Sequence, residues 1–191
     1  MPTADLVADR EFVAELQVDG SLEHVDADTR FINLQLGAAD RCEFGVGADL
    51  SEESEERWLV NAKLLLWKNE SDTLRLAAGF RNLGDEASPE GYGVATATRG
   101  CVRGHLGFTA SEERDVDGIA GFDIEWSPGW WGYGEWTSGK ENAGSVGVNI
   151  PCPCSLDLMV GLILPNAAKN EVGYTVHLVY GAAVPGLNSI K

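Results

Sequence analysis

The stretch from Arg41 to Trp67 reads RCEFGVGADLSEESEERWLVNAKLLLW, and its rhythm decides the fold. Phe44, Val46, Ala48 and Leu50 share one parity, while Glu43, Gly45, Gly47 and Asp49 share the other. Four glutamates then crowd into Glu52–Glu56. Trp58 opens a second run in which Val60, Ala62, Leu64 and Leu66 oppose Asn61 and Lys63. A period of two marks extended strand with one apolar face. Two such runs around an acidic segment predict a hairpin, with SEESEER as its exposed loop and Trp58 as the anchor where the chain re-enters an apolar layer.

The same period recurs along the chain. Phe12, Ala14, Leu16 and Val18 oppose Glu15, Gln17 and Asp19; Ile32, Leu34 and Leu36 oppose Asn33 and Gln35. Leu74, Leu76, Ala78 and Phe80 oppose Arg75 and Arg81; Val102, Leu106 and Phe108 oppose Arg103 and His105. Ala120, Phe122, Ile124 and Trp126 oppose Asp123 and Glu125. Three further runs lie at 146–150, 156–164 and 172–180, with weaker ones near 90–98 and 130–138. About twelve strands follow by the alternation rule, and no amphipathic helix emerges. The connections alternate as well. AADR, NESD, TRGC, SPG and PCPCS are tight, whereas DGSLEHVDADT, SEESEER, NLGDEASPE, SEERDVDG, SGKEN and PNAAKNE are longer and mostly acidic. In an up-and-down sheet, each set gathers at one end.

Composition narrows the class. The 191 residues suffice for one domain, with 44% hydrophobic and 23% charged side chains and 23 glycines. Thirty acidic residues against 14 basic ones give a net charge of −16, which disfavours a nucleic-acid partner. No apolar run reaches the length of a transmembrane helix, and the start, Met1-Pro-Thr-Ala-Asp, does not read as a secretory signal. The expected organisation is an N-terminal segment, 1–10, a single β domain, 11–182, and a tail, 183–191.

An all-antiparallel alternating chain has two main solutions, a soluble sandwich or a transmembrane barrel. Strand length, a polar face mixing glycine with both charge signs, and aromatics at strand ends favour an all-β, up-and-down antiparallel transmembrane β-barrel of about 12 strands. Trp58, Tyr92, Phe108, Trp136 and Tyr174 would ring the loop end; Phe12, Phe44, Trp126 and Tyr180 would ring the turn end. Parity sends Glu43, Asp49, Lys63, Arg75, Arg81, Arg103, His105, Asp123, Glu125, Glu135 and His177 to the lumen. Basic groups on the fourth, fifth and seventh strands would face acids on the third, eighth and ninth, setting a transverse field. Mutual pairing that fills the barrel is the simpler alternative.

At the level of strand texture, LVNAKLLLW, LRLAAGFRNLGD, VRGHLGFT, DGIAGFDIEWSP, AGSVGVNI and LDLMVGLILPN resemble a family of porin-like outer-membrane β-barrel proteins of diderm bacteria. PTADLV is similar to the first mature residues of such barrels. The resemblance spans most of Phe12–Tyr180. It implies a mature outer-membrane protein in contact with lipid or detergent, with a pore or scaffold role, no catalytic residue and no cofactor. The continuation GAAVPGLNSIK past Tyr180 departs from that pattern.

No hydrolase, metalloprotease or nucleotide-binding signature occurs, so the chain is not expected to be an enzyme. Cys42, Cys101, Cys152 and Cys154 all fall at tight turns, and Cys-Pro-Cys lacks zinc-ribbon spacing; no metal site is assigned, and free thiols or a disulfide both fit. The acidic loops are candidates for divalent cations, beside the simpler reading of a solvated surface. A homo-oligomer is compatible with the pattern. Two non-membrane readings stay open: a self-assembling fibre, tube or surface-layer subunit, and a soluble β-sandwich binding module.

Overall fold

The computed structural model describes residues 3–23, 27–51, 57–84, 89–111, 116–168 and 170–184. Twelve strands follow in chain order: β1 (Glu11–Ser21), β2 (Ala27–Ala38), β3 (Cys42–Asp49), β4 (Arg57–Lys68), β5 (Leu74–Leu83), β6 (Glu90–Arg99), β7 (Val102–Ser111), β8 (Asp117–Ser127), β9 (Trp130–Thr137), β10 (Ala143–Cys152), β11 (Leu156–Pro165) and β12 (Gly173–Ala183). Each strand pairs antiparallel with its sequence neighbours, and β1 pairs with β12 to close the barrel. The seam runs from Glu11 opposite Ala183 to Ser21 opposite Gly173, so the closing pair is a full ladder. Closure leaves no sheet edge, which hydrocarbon requires because it offers backbone groups no partner.

The pleat sorts the side chains as the alternation predicts. Leu16, Ile32, Leu34, Phe44, Val60, Leu64, Leu76, Leu106, Phe122, Val146, Leu162 and Leu178 all face outward and are exposed. The inner face buries Glu43, Thr96, His105, Thr109, Ser145, Asn149 and Thr175. The sheet is therefore inside out relative to a soluble sandwich, with its apolar face turned to the surroundings. Bulges in the β4–β5 pair at Val60/Ala62 and Leu65/Trp67 place both Leu66 and Trp67 outward.

The tight turns all lie at one end. The β2–β3 turn closes over Ala39 and Asp40, both with φ of 55°, and the β10–β11 turn over Cys154 and Ser155, with φ of 64° and 59°. Paired left-handed residues suit the twist of a two-residue hairpin. The four cysteines are free thiols at this end.

Trp58, Phe108, Trp126, Trp136 and Tyr180 face outward near strand ends, as expected of two aromatic girdles. Phe12 and Tyr180 meet across the seam with ring centroids 5.9 Å apart, and Trp136 Nε1 donates to Asn166 Oδ1 at 3.0 Å. Tyr174 holds its outward register opposite Leu162.

Tyr92 does not belong to the girdle. It points into the lumen, where its hydroxyl lies against Gly79, and it packs on the cluster of Ala4, Ala77 and Val94. The outward parity of β6 is instead Gly91, Gly93, Ala95 and Ala97, with Phe108 of β7 leaning across the space above Gly93. Small residues roofed by a neighbouring aromatic recur at Gly132 under Trp126 and Gly134 under Phe122. On such strands the bulkier parity faces inward and the outward one is small.

Leu106 is 68% exposed near the middle of β7. Leu106→Arg is expected to destabilise the lipid-embedded barrel by about 2–4 kcal/mol. Urea titrations of folding into liposomes would measure this, and an unchanged midpoint would show that the apolar face does not meet lipid.

Candidate functional site

The lumen contains more than its walls. Residues Thr3–Arg10 precede β1, turn back at the tight-turn end and cross the inside of the barrel. Glu11 N–H donates to Ala8 O at 3.0 Å, and Arg10, with φ of 62°, donates its N–H to Gly37 O at 3.2 Å. Asp9 Oδ1 accepts the Ala39 N–H at 2.7 Å, pinning this turn to the β2–β3 hairpin. The backbone then lies directly on Gly37, where a Cβ would sit 2.1 Å from Ala8 O and 2.3 Å from Val7 O. Only glycine leaves room for that passage. We call this segment the strap.

Four contacts hold the strap to the wall between β3 and β7. Val7 N–H donates to Glu43 Oε2 at 2.9 Å, and Ala4 N–H donates to Thr96 Oγ1 at 2.9 Å. Asp5 receives two guanidinium groups, one on each oxygen: Arg75 Nη1 on Oδ1 and Arg103 Nη1 on Oδ2, both at 2.8 Å. Ala4 is fully buried against Ala77 and Val94. Glu43, Arg75, Thr96 and Arg103 all lie within four residues of the turn-side ends of their strands, so the strap spans the turn-side mouth.

Two of these ties join into a ring. Thr96 Oγ1 lies 2.9 Å from His105 Nδ1, and His105 Nε2 lies 2.9 Å from Asp123 Oδ2. Arg103 Nη2 reaches the same Asp123 oxygen at 2.8 Å, and its Nη1 returns to Asp5. Asp123 accepts from both, which puts a proton on His105 Nε2; in the neutral tautomer with that proton, Nδ1 accepts the Thr96 hydroxyl. The circuit Ala4–Thr96–His105–Asp123–Arg103–Asp5 begins and ends on consecutive strap residues. Every donor in it has an acceptor, which is the condition for burying such a network.

Eight of the lumenal residues expected from parity border one central cavity of about 850 Å³: Glu43, Lys63, Arg81, Arg103, His105, Asp123, Glu135 and His177. Glu15, Gln17, Asp19, Tyr92, Trp131 and Tyr133 border it too, and the strap contributes Thr3 and Asp5. Asp49, Arg75 and Glu125 keep the inner parity but stand at the rims. Asp49 accepts the Ser51 N–H at 2.9 Å at the loop end, and Glu125 accepts the Gly129 N–H at 3.2 Å at the turn end. Arg75 is drawn to the turn end by Asp72, which takes Nε at 2.7 Å and Nη2 at 3.0 Å.

The expected basic arc facing an acidic arc is replaced by local pairing. Lys63 meets Glu43 at 3.2 Å, Arg81 meets Glu90 at 2.5 Å, and Arg103 meets Asp123. In each case the partners stand directly opposite on adjacent strands. A cross-strand partner is nearer than any group across the lumen, and short-range pairing wins where charges are desolvated. On the opposite wall, Glu15 Oε1 sits 2.6 Å from His177 Nδ1, and His177 Nε2 sits 2.7 Å from Thr175 Oγ1, which donates to Asp19 at 2.5 Å. Among the described residues, no group of three or more histidine, cysteine or acidic side chains is placed to hold a metal. The acidic loops expected to offer cation sites lie partly outside the described residues, at 24–26, 52–56, 85–88, 112–115 and 169.

In the β4–β5 turn, hydrogen bonds from Arg75 and then Lys68 hold the Asp72 carboxyl well below its ordinary value of 3.8, at about 2. A depressed carboxyl stabilises the folded state above the unfolded value and loses that effect as pH falls through the folded one. The Asp72 carboxyl signal in NMR is thus expected to titrate near 2; a midpoint near 3.8 would show that the fork to Arg75 does not form in solution. Removing one member of the ring has a larger effect. Asp123→Asn leaves Arg103 with a neutral partner in the wall and is expected to cost about 1–3 kcal/mol in unfolding free energy.

No family model matches the sequence, and no curated protein matches it either. Solved structures do. One KdgM porin aligns with a TM-score of 0.69 and 11% identity over 88% of this chain and 98% of its own. A KdgM porin in complex with disordered oligogalacturonate aligns with a TM-score of 0.67 and 12% identity over 89% and 98%. A third structure, from work on in-meso crystallization of membrane proteins, gives 0.59 and 11% over 90% and 83%. The likeness is one of fold: this chain is a closed twelve-stranded barrel of the KdgM-porin architecture.

Proposed function

We propose that the chain is an outer-membrane, porin-like channel that passes small polar solutes through its lumen. The observation that carries this reading is the sorting of the two faces. A continuous apolar exterior with aromatic rings at both ends suits a bilayer, while the interior is lined by hydrogen-bonding and ionic groups around a cavity of about 850 Å³. The fold likeness to KdgM porins supports the same reading. One of those porins was solved with an acidic oligosaccharide, so sugar acids are reasonable first solutes to test. The reading assigns no catalytic step. The Thr96–His105–Asp123 relay ties the strap to the wall, and Thr96 is only 1% exposed.

A second reading is a closed barrel that serves as a scaffold, favoured by the strap across the turn-side mouth. Reconstitution separates the two. Purified protein is expected to stay a small particle by light scattering only in detergent. In planar bilayers it is expected to give discrete conductance steps. A monodisperse particle in plain buffer would end the membrane reading, and detergent-dependent protein that never conducts, even with residues 2–8 deleted, would leave the scaffold.

A further inference from the structure

We infer that residues Thr3–Arg10 form a displaceable gate, in which the Asp5 carboxylate acts as a tethered ligand of Arg75 and Arg103, and that soluble carboxylates open the turn-side mouth by competing for those two guanidinium groups. The inference deepens the channel reading and rests on it for its physiological meaning, but the gate has its own geometry.

Three features distinguish a gate from a permanent core element. First, the barrel is complete without the strap: the β1–β12 seam is paired from Glu11 to Ser21. Secondly, the strap is held mainly by polar ties, and Ala4 is its only fully buried side chain. Thirdly, every wall group that holds the strap already has a second partner. Arg75 keeps Asp72 at two nitrogens, Arg103 keeps Asp123, Glu43 keeps Lys63 and Thr96 keeps His105. Removing a buried partner is costly when it strands a charge. Here its departure strands none, so the open state keeps the wall's ion pairs intact.

The same arrangement defines what competes. Each arginine is fixed by its wall acid and directs one remaining nitrogen at Asp5, one to each carboxylate oxygen. This is a preformed clamp for a single carboxylate. A tethered carboxylate has a high effective concentration, so displacement needs a multivalent or concentrated competitor. Gly37 supplies the other determinant, because any side chain there occupies the track of the strap backbone.

The test uses the full chain in detergent, with Cys42, Cys101, Cys152 and Cys154 replaced by serine and Ala4→Cys as reporter. Labelling by a water-soluble thiol reagent is expected to be slow in this background and at least ten-fold faster after Asp5→Asn, which weakens the clamp. Gly37→Val, which evicts the backbone without changing charge, is expected to do the same. Citrate, at equal ionic strength to a chloride control, is expected to accelerate labelling in the background protein and to lose that effect when Arg103→Gln is added. Labelling that stays slow with both Asp5→Asn and Gly37→Val would overturn the gate. Fast labelling in the unaltered background would show the strap already outside and overturn it too. Acceleration by chloride as strong as by citrate would overturn the carboxylate clamp. None of these readouts needs a bilayer, so a barrel that fails to conduct leaves the gate standing, and a fixed strap leaves the conductance measurement to decide the channel.

Discussion

The structure depends on one constraint: the sheet has to close. In hydrocarbon, an unpaired backbone amide or carbonyl costs several kcal/mol, and a twelve-stranded open sheet would expose two full edges of them. The β1–β12 ladder removes both edges. Once the sheet is closed, the pleat leaves each side chain only two destinations, the outer face or the lumen. The alternation of apolar with polar or small side chains along β3, β4, β7 and β8 then follows as a consequence of that geometry.

Closure also creates the lumen's difficulty. Charges that point inward are partly removed from water, and the narrow interior offers few partners. The chain solves this strand by strand, setting an acid opposite each lumenal base at Glu43–Lys63, Arg81–Glu90 and Arg103–Asp123. Cross-strand neighbours are fixed by register, so these pairs are as well determined as the sheet itself. The strap exploits what is left over. It adds a carboxylate where two guanidinium groups each have a donor to spare, and two amides where a glutamate and a threonine each have a lone pair.

Much of this was legible in the sequence. Twelve alternating runs and the two classes of connection give the barrel, its strand number and its two unlike ends. The resemblance to porin-like barrels is borne out as a likeness of fold. Of the eleven residues that parity assigns to the lumen, eight border the cavity, and Asp49, Arg75 and Glu125 stand at its rims. Tyr92 was misplaced because on β6 glycine and alanine, not leucine, form the outward face; Thr96 and Thr98, which share the parity of Tyr92, were the signal that its face is polar. The strap was beyond reach for a different reason. Eight residues with no period and no capping signal say nothing about where they pack. Asp5 and Arg103 are joined only after β5, β6 and β7 have brought Arg75, Thr96 and Arg103 to one end. The transverse field failed because parity assigns a face but not a partner.

The even strand count has a topological consequence for the strap. With twelve strands, β1 begins and β12 finishes at the same rim, where Val184 N–H meets Arg10 O at 2.8 Å. The strap is hinged at that rim by Asp9 and Glu11 and folds inward from it. It can swing back only toward the compartment that the tight turns face, since leaving by the loop end would mean threading its own tether through the bore. The device therefore works like a check valve whose handedness is fixed by the parity of the strand number and not by any particular side chain.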